Sequence, residues 1–328
     1  MVMPNVSFFN LFSANIRHLF VEFNFILNLI KTYKNFFSVL LQIIKQNYPI
    51  DAKLYSNRNL SLKNFNEVSF IAKIRSLKNI DYNLEKDYIK INSLPWINDQ
   101  NIDLKLYGVI SNGDIINILF NDEYKNVDVR NRVVIDVGSN VGDSIIYFAL
   151  KGAKYIFALE PFPQNFKFAE KNIQENKLEH IVDLNLAGCS DLNKKMIVDP
   201  SLSGVGTKLN EQLSDGIEVD VISLSEITKK FPDSKNLVLK IDCEGCEYDT
   251  ILNSSYETLN RFTEIILEYH HGYLNLKNKL EQNGFQVHLV SKPQSTELSS
   301  KLISLTRKNI SKQKPPVFFM GLLYAKRL

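Results

Sequence analysis

The chain has little of what marks a secreted or membrane-spanning protein. Three cysteines among 328 residues are few and odd in number, which argues against a disulfide framework. The opening segment lacks the basic stretch, compact apolar run and small-residue cleavage site of a secretion signal. Glu22, Lys31 and Lys34 interrupt the first apolar segment, so no run is long enough to span a bilayer. We therefore expect a reducing, cytoplasmic setting.

A strong charge of either sign is also missing. Lys and Arg number 39 against 36 Asp and Glu, which gives a net charge of +3 at pH 7. Without a basic excess or a recognition module, a nucleic-acid partner is not expected. The 45% hydrophobic and 23% charged fractions are typical of a globular protein with an ample core.

The first 130 residues divide into two predicted parts. Residues 1–48 form an amphipathic helical segment, because 8–48 is rich in Phe, Leu and Ile with one narrow polar stripe. We favour packing of this segment on the core or on a second subunit, and peripheral membrane contact through 8–48 is the open alternative. Residues 49–130 predict a small α+β cap, with strands at 50–55 and 67–74 and a hairpin over 105–120.

Residues 131–328 alternate between strand and helix patterns, which predicts an α/β fold with a doubly wound, mostly parallel sheet. Two strands at the end follow one another without a helix, so the last one is expected to insert antiparallel. The predicted strands are 132–137, 154–160, 181–187, 236–242, 262–270, 284–290 and 317–326. The predicted helices are 142–151, 163–176, 222–231, 246–260 and 273–283.

A glycine-containing turn follows the first of these strands and predicts a nucleotide-type cofactor site. Gly138, Asn140 and Gly142 permit a tight turn, since Asn tolerates positive φ. The dinucleotide pattern G-x-G-x-x-G is absent, because Asn140 replaces the middle glycine and Asp143 stands where the last belongs. A carboxylate there would repel a pyrophosphate at the helix N-terminus, but it suits a phosphate-free cation such as S-adenosylmethionine. No G-K-[ST] follows, which excludes a phosphate-binding loop.

Two more strand ends carry acidic residues. Glu160 ends the strand after the turn, where an acidic residue can bind both ribose hydroxyls of a nucleotide-type cofactor. Asp242 and Glu244 follow the fourth strand, and clustered carboxylates can raise one pKa into the range of a general base. Glu268 and His270 end the fifth strand, where a histidine can deprotonate a hydroxyl or, with Asp242 or Glu244, hold a divalent cation that orients a sugar diol.

Four ordered motifs give the chain a family resemblance. These are IDVGSNVGDS over 135–144, LEPFPQNF over 159–166, KIDCEGCE over 240–247 and ILEYH over 266–270. Together they resemble FkbM-type S-adenosylmethionine-dependent methyltransferases over about residues 105–327. Cys243 and Cys246 stand at small or apolar positions of that pattern, and Ser139 where Ala is common. The first hundred residues more loosely resemble extensions of prokaryotic, especially archaeal, members.

The resemblance implies a Rossmann-like class I methyltransferase whose seven-stranded sheet ends in an antiparallel strand. It also implies S-adenosylmethionine as cofactor and a hydroxyl of a sugar, glycan or secondary metabolite as acceptor, with an oligomer left open. The expected catalytic residues are Asp242, Glu244, Glu268 and His270, and no metal is included in the predicted site. The expected cofactor-binding residues are Asp136, Gly138, Ser139, Asn140, Gly142, Asp143, Ser144, Glu160, Pro161, Asn185 and Ala187.

Several residues have competing interpretations. Ser144 can cap the helix instead of binding cofactor, and Asn185 to Ala187 can be structural rather than lining an adenine slot. Glu247 is assigned to a helix first turn favoured by the helix dipole. Simple packing is favoured for Cys243 and Cys246 over zinc or redox chemistry, because zinc lacks two further ligands. The rival functions are a nucleic-acid methyltransferase, a nicotinamide dehydrogenase and a non-catalytic membrane-surface protein.

Overall fold

The computed structural model describes residues 8–77, 80–97, 102–199, 216–234, 236–298, 300 and 317–328. Its N-terminal part begins with two helices and continues as short strands and helices. These elements are α1 (Phe8–Thr32), α2 (Phe36–Lys45), β1 (Ile50–Lys53), β2 (Asn59–Leu62), α3 (Phe65–Ile74), β3 (Ile80–Asn83), β4 (Tyr88–Ile91), β5 (Leu104–Tyr107), α4 (Val109–Asn112) and a π-helix (Ile116–Phe120).

The C-terminal part alternates between strands and helices, as its sequence pattern predicts. Its elements are β6 (Val133–Val137), α5 (Asp143–Leu150), β7 (Tyr155–Leu159), α6 (Pro163–Glu175), β8 (Val182–Asn185), β9 (Ala187–Ser190), β10 (Lys194–Val198), β11 (Ile217–Ser223), α7 (Leu224–Lys229), β12 (Leu237–Ile241), α8 (Cys246–Leu252), α9 (Tyr256–Leu259), β13 (Phe262–Tyr269), α10 (Leu274–Gln282), β14 (Phe285–Leu289), β15 (Gln294–Ser295) and β16 (Phe319–Arg327).

A seven-stranded sheet organises this part of the chain. The strand order is β14-β16-β13-β12-β6-β7-β8, and the short β15 also pairs with β16. Strands β6, β7, β8, β12 and β13 are parallel neighbours, whereas β16 runs antiparallel between β13 and β14. The predicted Rossmann-like, doubly wound sheet with an antiparallel last strand is confirmed. The carboxyl ends of β6, β7, β12 and β13 meet at one edge, where such sheets bind ligands.

The sequence predictions fail chiefly in the N-terminal part. The predicted strand at 67–74 is instead α3, whose N-cap Asn64 accepts a hydrogen bond from the Glu67 N–H group. Alternating apolar residues in this segment resemble a strand, but the buried positions include consecutive pairs that fit helical spacing.

The hairpin predicted over 105–120 is also wrong. The chain leaves β5 through Gly108, which has a φ of +74°, and enters α4 and then the π-helix. Gly113 has an extended conformation with a φ of −89°, whereas the expected two-residue hairpin turn needs positive φ. Strand β5 pairs with β4 instead.

In the C-terminal part the differences are smaller. The strand predicted over 181–187 stops at Asn185, and Ala187 begins β9 in a separate three-stranded sheet ordered β10-β11-β9. The helix predicted over 246–260 is two helices, α8 and α9. The second begins after Ser255, whose hydroxyl caps it by accepting a hydrogen bond from the Thr258 N–H group.

One hydrophobic core joins the N-terminal elements to a face of the large sheet. Leu29 and Val68 belong to the same buried cluster as Val134 and Ile156. Asn172 on α6 fixes the junction, because its amide donates to the Tyr107 and Val141 carbonyl groups at 2.9 and 2.7 Å. The N-terminal part is thereby held at a fixed position beside the glycine turn.

The opposite face of α1 and α2 is apolar and exposed. Phe12, Phe20 and Phe23 on α1 and Phe37 and Leu41 on α2 each expose more than half of their surface. None of the helices in the described ranges combines the length and apolar character needed to cross a bilayer.

Candidate active site

The glycine turn between β6 and α5 packs directly against the end of β12. Gly138, Asn140 and Gly142 have φ values of +78°, +51° and +87°, so Asn140 adopts the conformation expected of it. A Cβ atom added to Gly138 would lie 1.9 Å from the Asp242 carbonyl oxygen. Only glycine therefore allows this approach, which brings the cofactor turn and a predicted catalytic residue together.

A buried ion pair supports the turn from below. The Lys240 ammonium lies 3.1 Å from Asp136 Oδ1 and donates to the Gly138 carbonyl oxygen at 2.7 Å. Asp136 Oδ2 accepts the Ser144 hydroxyl at 2.6 Å. Asp136 and Ser144, predicted to contact cofactor, are therefore buried beneath the turn and hold its shape. Sequence reasoning missed Lys240, although a lysine inside an apolar strand is a signal that it has a buried partner.

Glu160 lies at the end of β7 next to the turn. It is only 3% exposed, and its two oxygens accept the Asn140 and Phe162 N–H groups at 2.8 and 2.9 Å. Burial raises the pKa of Glu160 to about 8, against the lowering effect of the Phe162 and Asn140 hydrogen bonds. The Asn165 side chain also hydrogen-bonds to Glu160 and lowers its pKa slightly.

The other predicted cofactor residues surround this turn. Asp143 is buried and accepts the Asp114 N–H bond at 2.8 Å, which ties the turn to the N-terminal part. Burial raises the pKa of Asp143 to about 6. Ser139 is fully buried, and its hydroxyl has no hydrogen-bond partner among the described residues.

Two residues of the predicted adenine slot lie on different sheets. The Asn185 carbonyl oxygen accepts the Glu160 N–H bond at 3.1 Å, so its backbone reaches the site. Ala187 is buried in β9, which pairs with β11. Pro161 follows Glu160 and is half-buried.

The four predicted catalytic residues lie together at the ends of β12 and β13. His270 Nε2 is 3.4 Å from Glu244 Oε2 and 3.9 Å from Asp242 Oδ1. Asp242, Glu268 and His270 each present a ligand atom, and these atoms lie within 4.8 Å of one another. The structure therefore brings this predicted group into one cluster.

Glu247 was the residue of this cluster that sequence reasoning missed. It lies in the first turn of α8, as predicted, but it is also fully buried. Its Oε1 atom is 3.0 Å from His270 Nδ1, and its Oε2 atom accepts the Gly245 N–H bond at 2.8 Å. The sequence does not show that Glu247 contacts His270, because this contact depends on the packing of α8 beside the end of β13.

The surroundings of His270 shift its pKa away from the range expected of a general base. Burial alone would lower the pKa of His270, but the hydrogen bond and charge of Glu247, followed by Asp242 and Glu268, raise it to about 10. The raised pKa favours the charged imidazole near neutral pH, with a proton on each nitrogen. Desolvation and the charge of Asp242 also raise the pKa of Glu268 well above its usual range.

The packing interpretation of the two neighbouring cysteines is wrong. Cys243 and Cys246 form a disulfide across the turn that carries Glu244. Glu244 and Gly245 have φ values of +57° and +121°, and this turn brings the cysteine Cα atoms to 5.5 Å, within the usual disulfide range. Cys189 is the free cysteine, and burial raises its pKa to about 12.

A cleft of about 660 Å³ opens above the catalytic cluster. Its floor contains Asp242, Glu244, Glu268 and His270, and Asn140 of the glycine turn lies at its side. Its opposite wall comes from α3, α4 and the segment that follows, with the polar residues Asn66, Ser69, Lys73, Ser111 and Asp114. The N-terminal part thus borders the end of the sheet where the predicted catalytic residues lie.

Comparison with known proteins finds similarity in the C-terminal part. Residues 136–287 match the family model described as the methyltransferase FkbM domain. A tRNA (guanine(37)-N(1))-methyltransferase from Batrachochytrium dendrobatidis is 29% identical over 151 residues, which are 42% of this chain and 30% of that protein. The chain therefore matches less than a third of that relative's length.

Solved structures with similar folds have low sequence identity. The methyltransferase FkbM from Methylobacillus flagellatus is 12% identical, with a TM-score of 0.38, over 60% of this chain and 43% of that chain. Magnesium protoporphyrin IX methyltransferase from Synechocystis, determined with bound S-adenosylmethionine, is 13% identical with a TM-score of 0.29, over 62% and 74% of the respective chains.

Proposed function

We propose that this chain, which carries an FkbM methyltransferase domain over residues 136–287, transfers the methyl group of S-adenosylmethionine to a hydroxyl oxygen of a sugar, glycan or secondary metabolite. One observation carries the proposal. Asn140 of the glycine turn and the cluster of Asp242, Glu244, Glu268 and His270 border the same cleft. A cofactor held at the turn can therefore present its methyl group to an acceptor in that cleft.

The residues at the turn fit this cofactor. The buried Glu160 carboxyl group lies beside the glycine turn at the end of β7, where an acidic residue can bind the ribose hydroxyls of a nucleotide-type cofactor. The Gly138 backbone packs against the Asp242 carbonyl group, which holds the glycine turn next to the cleft. Asp143 supplies negative charge that suits a cationic cofactor and opposes a pyrophosphate.

The chemistry of the transfer assigns roles to the clustered residues. When bound, S-adenosylmethionine supplies an electrophilic methyl group, and displacement by the acceptor oxygen needs alignment above all. The protonated His270 can donate a hydrogen bond from Nε2 to the acceptor. Asp242 is then the group that accepts the hydroxyl proton, since it is half-buried in the cleft and His270 is already charged.

The wall of the cleft indicates the kind of acceptor. Asn66, Ser69, Lys73 and Ser111 contribute amide, hydroxyl and ammonium groups to the lining of the cleft, beside apolar residues such as Phe70 and Ile110. Such polar groups can hydrogen-bond a ligand with several hydroxyl groups. This supports a polyhydroxylated acceptor.

Methylation of tRNA is the second candidate, because the similar Batrachochytrium protein is named as a tRNA methyltransferase. The charges at the cleft argue against it for this chain. Three acidic residues, Asp114, Asp242 and Glu244, line the cleft together with Lys73 and with Glu268, whose raised pKa favours its neutral form. A phosphate backbone is bound by clustered Lys and Arg side chains, and a cleft rich in carboxylates repels it.

Transfer of a labelled methyl group tests the proposal. Wild-type protein incubated with methyl-labelled S-adenosylmethionine should label a glycan or hydroxylated metabolite fraction and leave tRNA unlabelled. Asp242→Asn should lower the rate by about 100-fold or more, because general base catalysis typically contributes that much. The exposed Glu170→Gln on α6 is the matched control and should leave the rate unchanged. Labelling of tRNA alone would reject the hydroxyl acceptor, and an unchanged rate in Asp242→Asn would reject its role.

A further inference from the structure

We propose that Asp242, Glu268 and His270 bind a divalent transition-metal ion at the floor of the cleft, where the ion holds an acceptor with two adjacent oxygens. The second part rests on the proposed methyl transfer, whereas the metal site stands on geometry. The three side chains come from the carboxyl ends of the neighbouring strands β12 and β13.

The ligand atoms are arranged as a metal site requires. One nitrogen and two oxygens lie within 4.8 Å of one another. Ligand atoms that are each about 2.0–2.2 Å from an ion lie no more than about 4.4 Å apart, so small side-chain rotations complete the site. Three protein ligands leave coordination positions open toward the cleft, as a catalytic metal site needs.

The orientation of His270 is a separate observation that points to a ligand. His270 is 4% exposed, and the fully buried Glu247 fixes its Nδ1 atom at 3.0 Å. Its Nε2 atom faces Glu244 and Asp242 at 3.4 and 3.9 Å, both longer than an ordinary hydrogen bond. Histidine ligands of metals characteristically donate their other N–H group to a carboxylate. Glu247 is therefore a positioning residue for Nε2.

The donor set indicates the class of ion. Imidazole favours transition metals such as Zn²⁺, whereas carboxylates also suit Mn²⁺ and Mg²⁺. One imidazole with two carboxylates thus selects a divalent transition metal over Ca²⁺. A metal-bound imidazole nitrogen carries no proton, so the Nε2 proton would pass to solvent, and His270 would then hold the ion rather than donate a hydrogen bond to the acceptor. The ion would coordinate an acceptor hydroxyl and favour its deprotonation.

Titration with Mn²⁺ tests the site without any acceptor. The protein is freed of metal with a chelator, and the unbound ion is followed by electron paramagnetic resonance. We expect one Mn²⁺ per wild-type chain and at least about tenfold weaker binding in Asp242→Asn and Glu268→Gln. Glu247→Gln should weaken binding by about 10- to 100-fold through His270. The exposed His288→Ala is the control and should bind as wild type does.

Two further measurements distinguish a misfolded variant, a failure of the metal site and a failure of the proposed function. Thermal unfolding of each variant identifies any that fails to fold, and the half-buried Asp242 is the site where replacement disturbs packing least. Calorimetry with S-adenosylmethionine on the same proteins tests the proposed function independently. Mn²⁺ binding without cofactor binding would retain the metal site and reject the proposed function. No Mn²⁺ binding by wild type, or equal binding by Asp242→Asn and Glu268→Gln, would overturn the metal site.

Discussion

Glu160→Gln is expected to weaken S-adenosylmethionine binding by about 10- to 150-fold, since hydrogen bonds to a charged group contribute about 1.5–3 kcal/mol. The glutamine retains the size of Glu160 but places an amide donor against the Asn140 or Phe162 N–H group. It also loses the charge that two hydroxyl donors prefer. Isothermal calorimetry measures the affinity. The control is Glu170→Gln, the same replacement at an exposed position of α6.

The pH dependence of this binding gives a sharper test of the same carboxylate. Burial raises the pKa of Glu160 to about 8 from its ordinary value of 4.5, so the empty folded protein holds a proton there that the unfolded chain has lost. Stability of the empty protein should therefore fall as pH rises from 4.5 to 8. Ribose hydroxyls donate to the charged form, so cofactor binding should tighten over pH 6 to 8 and release a proton.

Calorimetry in two buffers with different ionisation enthalpies measures that proton. Asp143, with a pKa of about 6, contributes little release above pH 7. Lys240 keeps its positive charge throughout, because its pKa is raised. Wild type should show a buffer-dependent enthalpy at pH 7 that Glu160→Gln lacks. Equal affinity and equal proton release in both proteins would remove Glu160 from the cofactor site.

Gly138→Ala is expected to lower the free energy of unfolding by about 2–5 kcal/mol. Left-handed backbone costs a non-glycine residue about 1–2 kcal/mol, and overpacking typically adds about 1–3 kcal/mol. The added Cβ would meet the Asp242 carbonyl oxygen at 1.9 Å, so the glycine turn and the end of β12 must separate. The affinity of Gly138→Ala for S-adenosylmethionine should fall together with its stability.

Gly152→Ala provides the matched control. Gly152 has a φ of +86°, close to the +78° of Gly138, but its added Cβ would lie 3.5 Å from Arg130 Cγ. This variant carries the backbone strain alone, so we expect a loss of about 1–2 kcal/mol and unchanged cofactor binding. Urea unfolding measures the loss of stability in Gly138→Ala and in Gly152→Ala. Equal losses in the two variants would show that the close approach to Asp242 carries no cost of its own.

The sheet could be predicted from sequence because its signals are local. Strands β6, β7, β12 and β13 are mostly apolar and largely buried, as is typical of strands that a parallel sheet buries on both faces. Turn residues mark their ends, so Asp136, Glu160, Asp242 and His270 could be assigned to one edge. The N-terminal part lacks such regularity, and a short segment such as 67–74 fits both the helix period of 3.6 residues and the strand period of two.

The parts of the site that escaped prediction depend on contacts between distant segments. Lys240 pairs with Asp136 across neighbouring strands, and Glu247 reaches His270 from α8 to the end of β13. The disulfide depends on positive φ at Glu244, which composition does not reveal. The cleft forms only because the core joins α3 and α4 to the sheet, and no motif marks its wall.

A crystal structure with S-adenosylhomocysteine would test the cofactor site most directly. We predict that the two ribose hydroxyls lie within hydrogen-bond distance of the Glu160 carboxylate, and that the amino acid part lies along the turn from Gly138 to Gly142. The sulfur atom should face the cleft beside Asp242. A nucleoside bound away from Glu160, or no bound nucleoside at a millimolar concentration, would contradict the account.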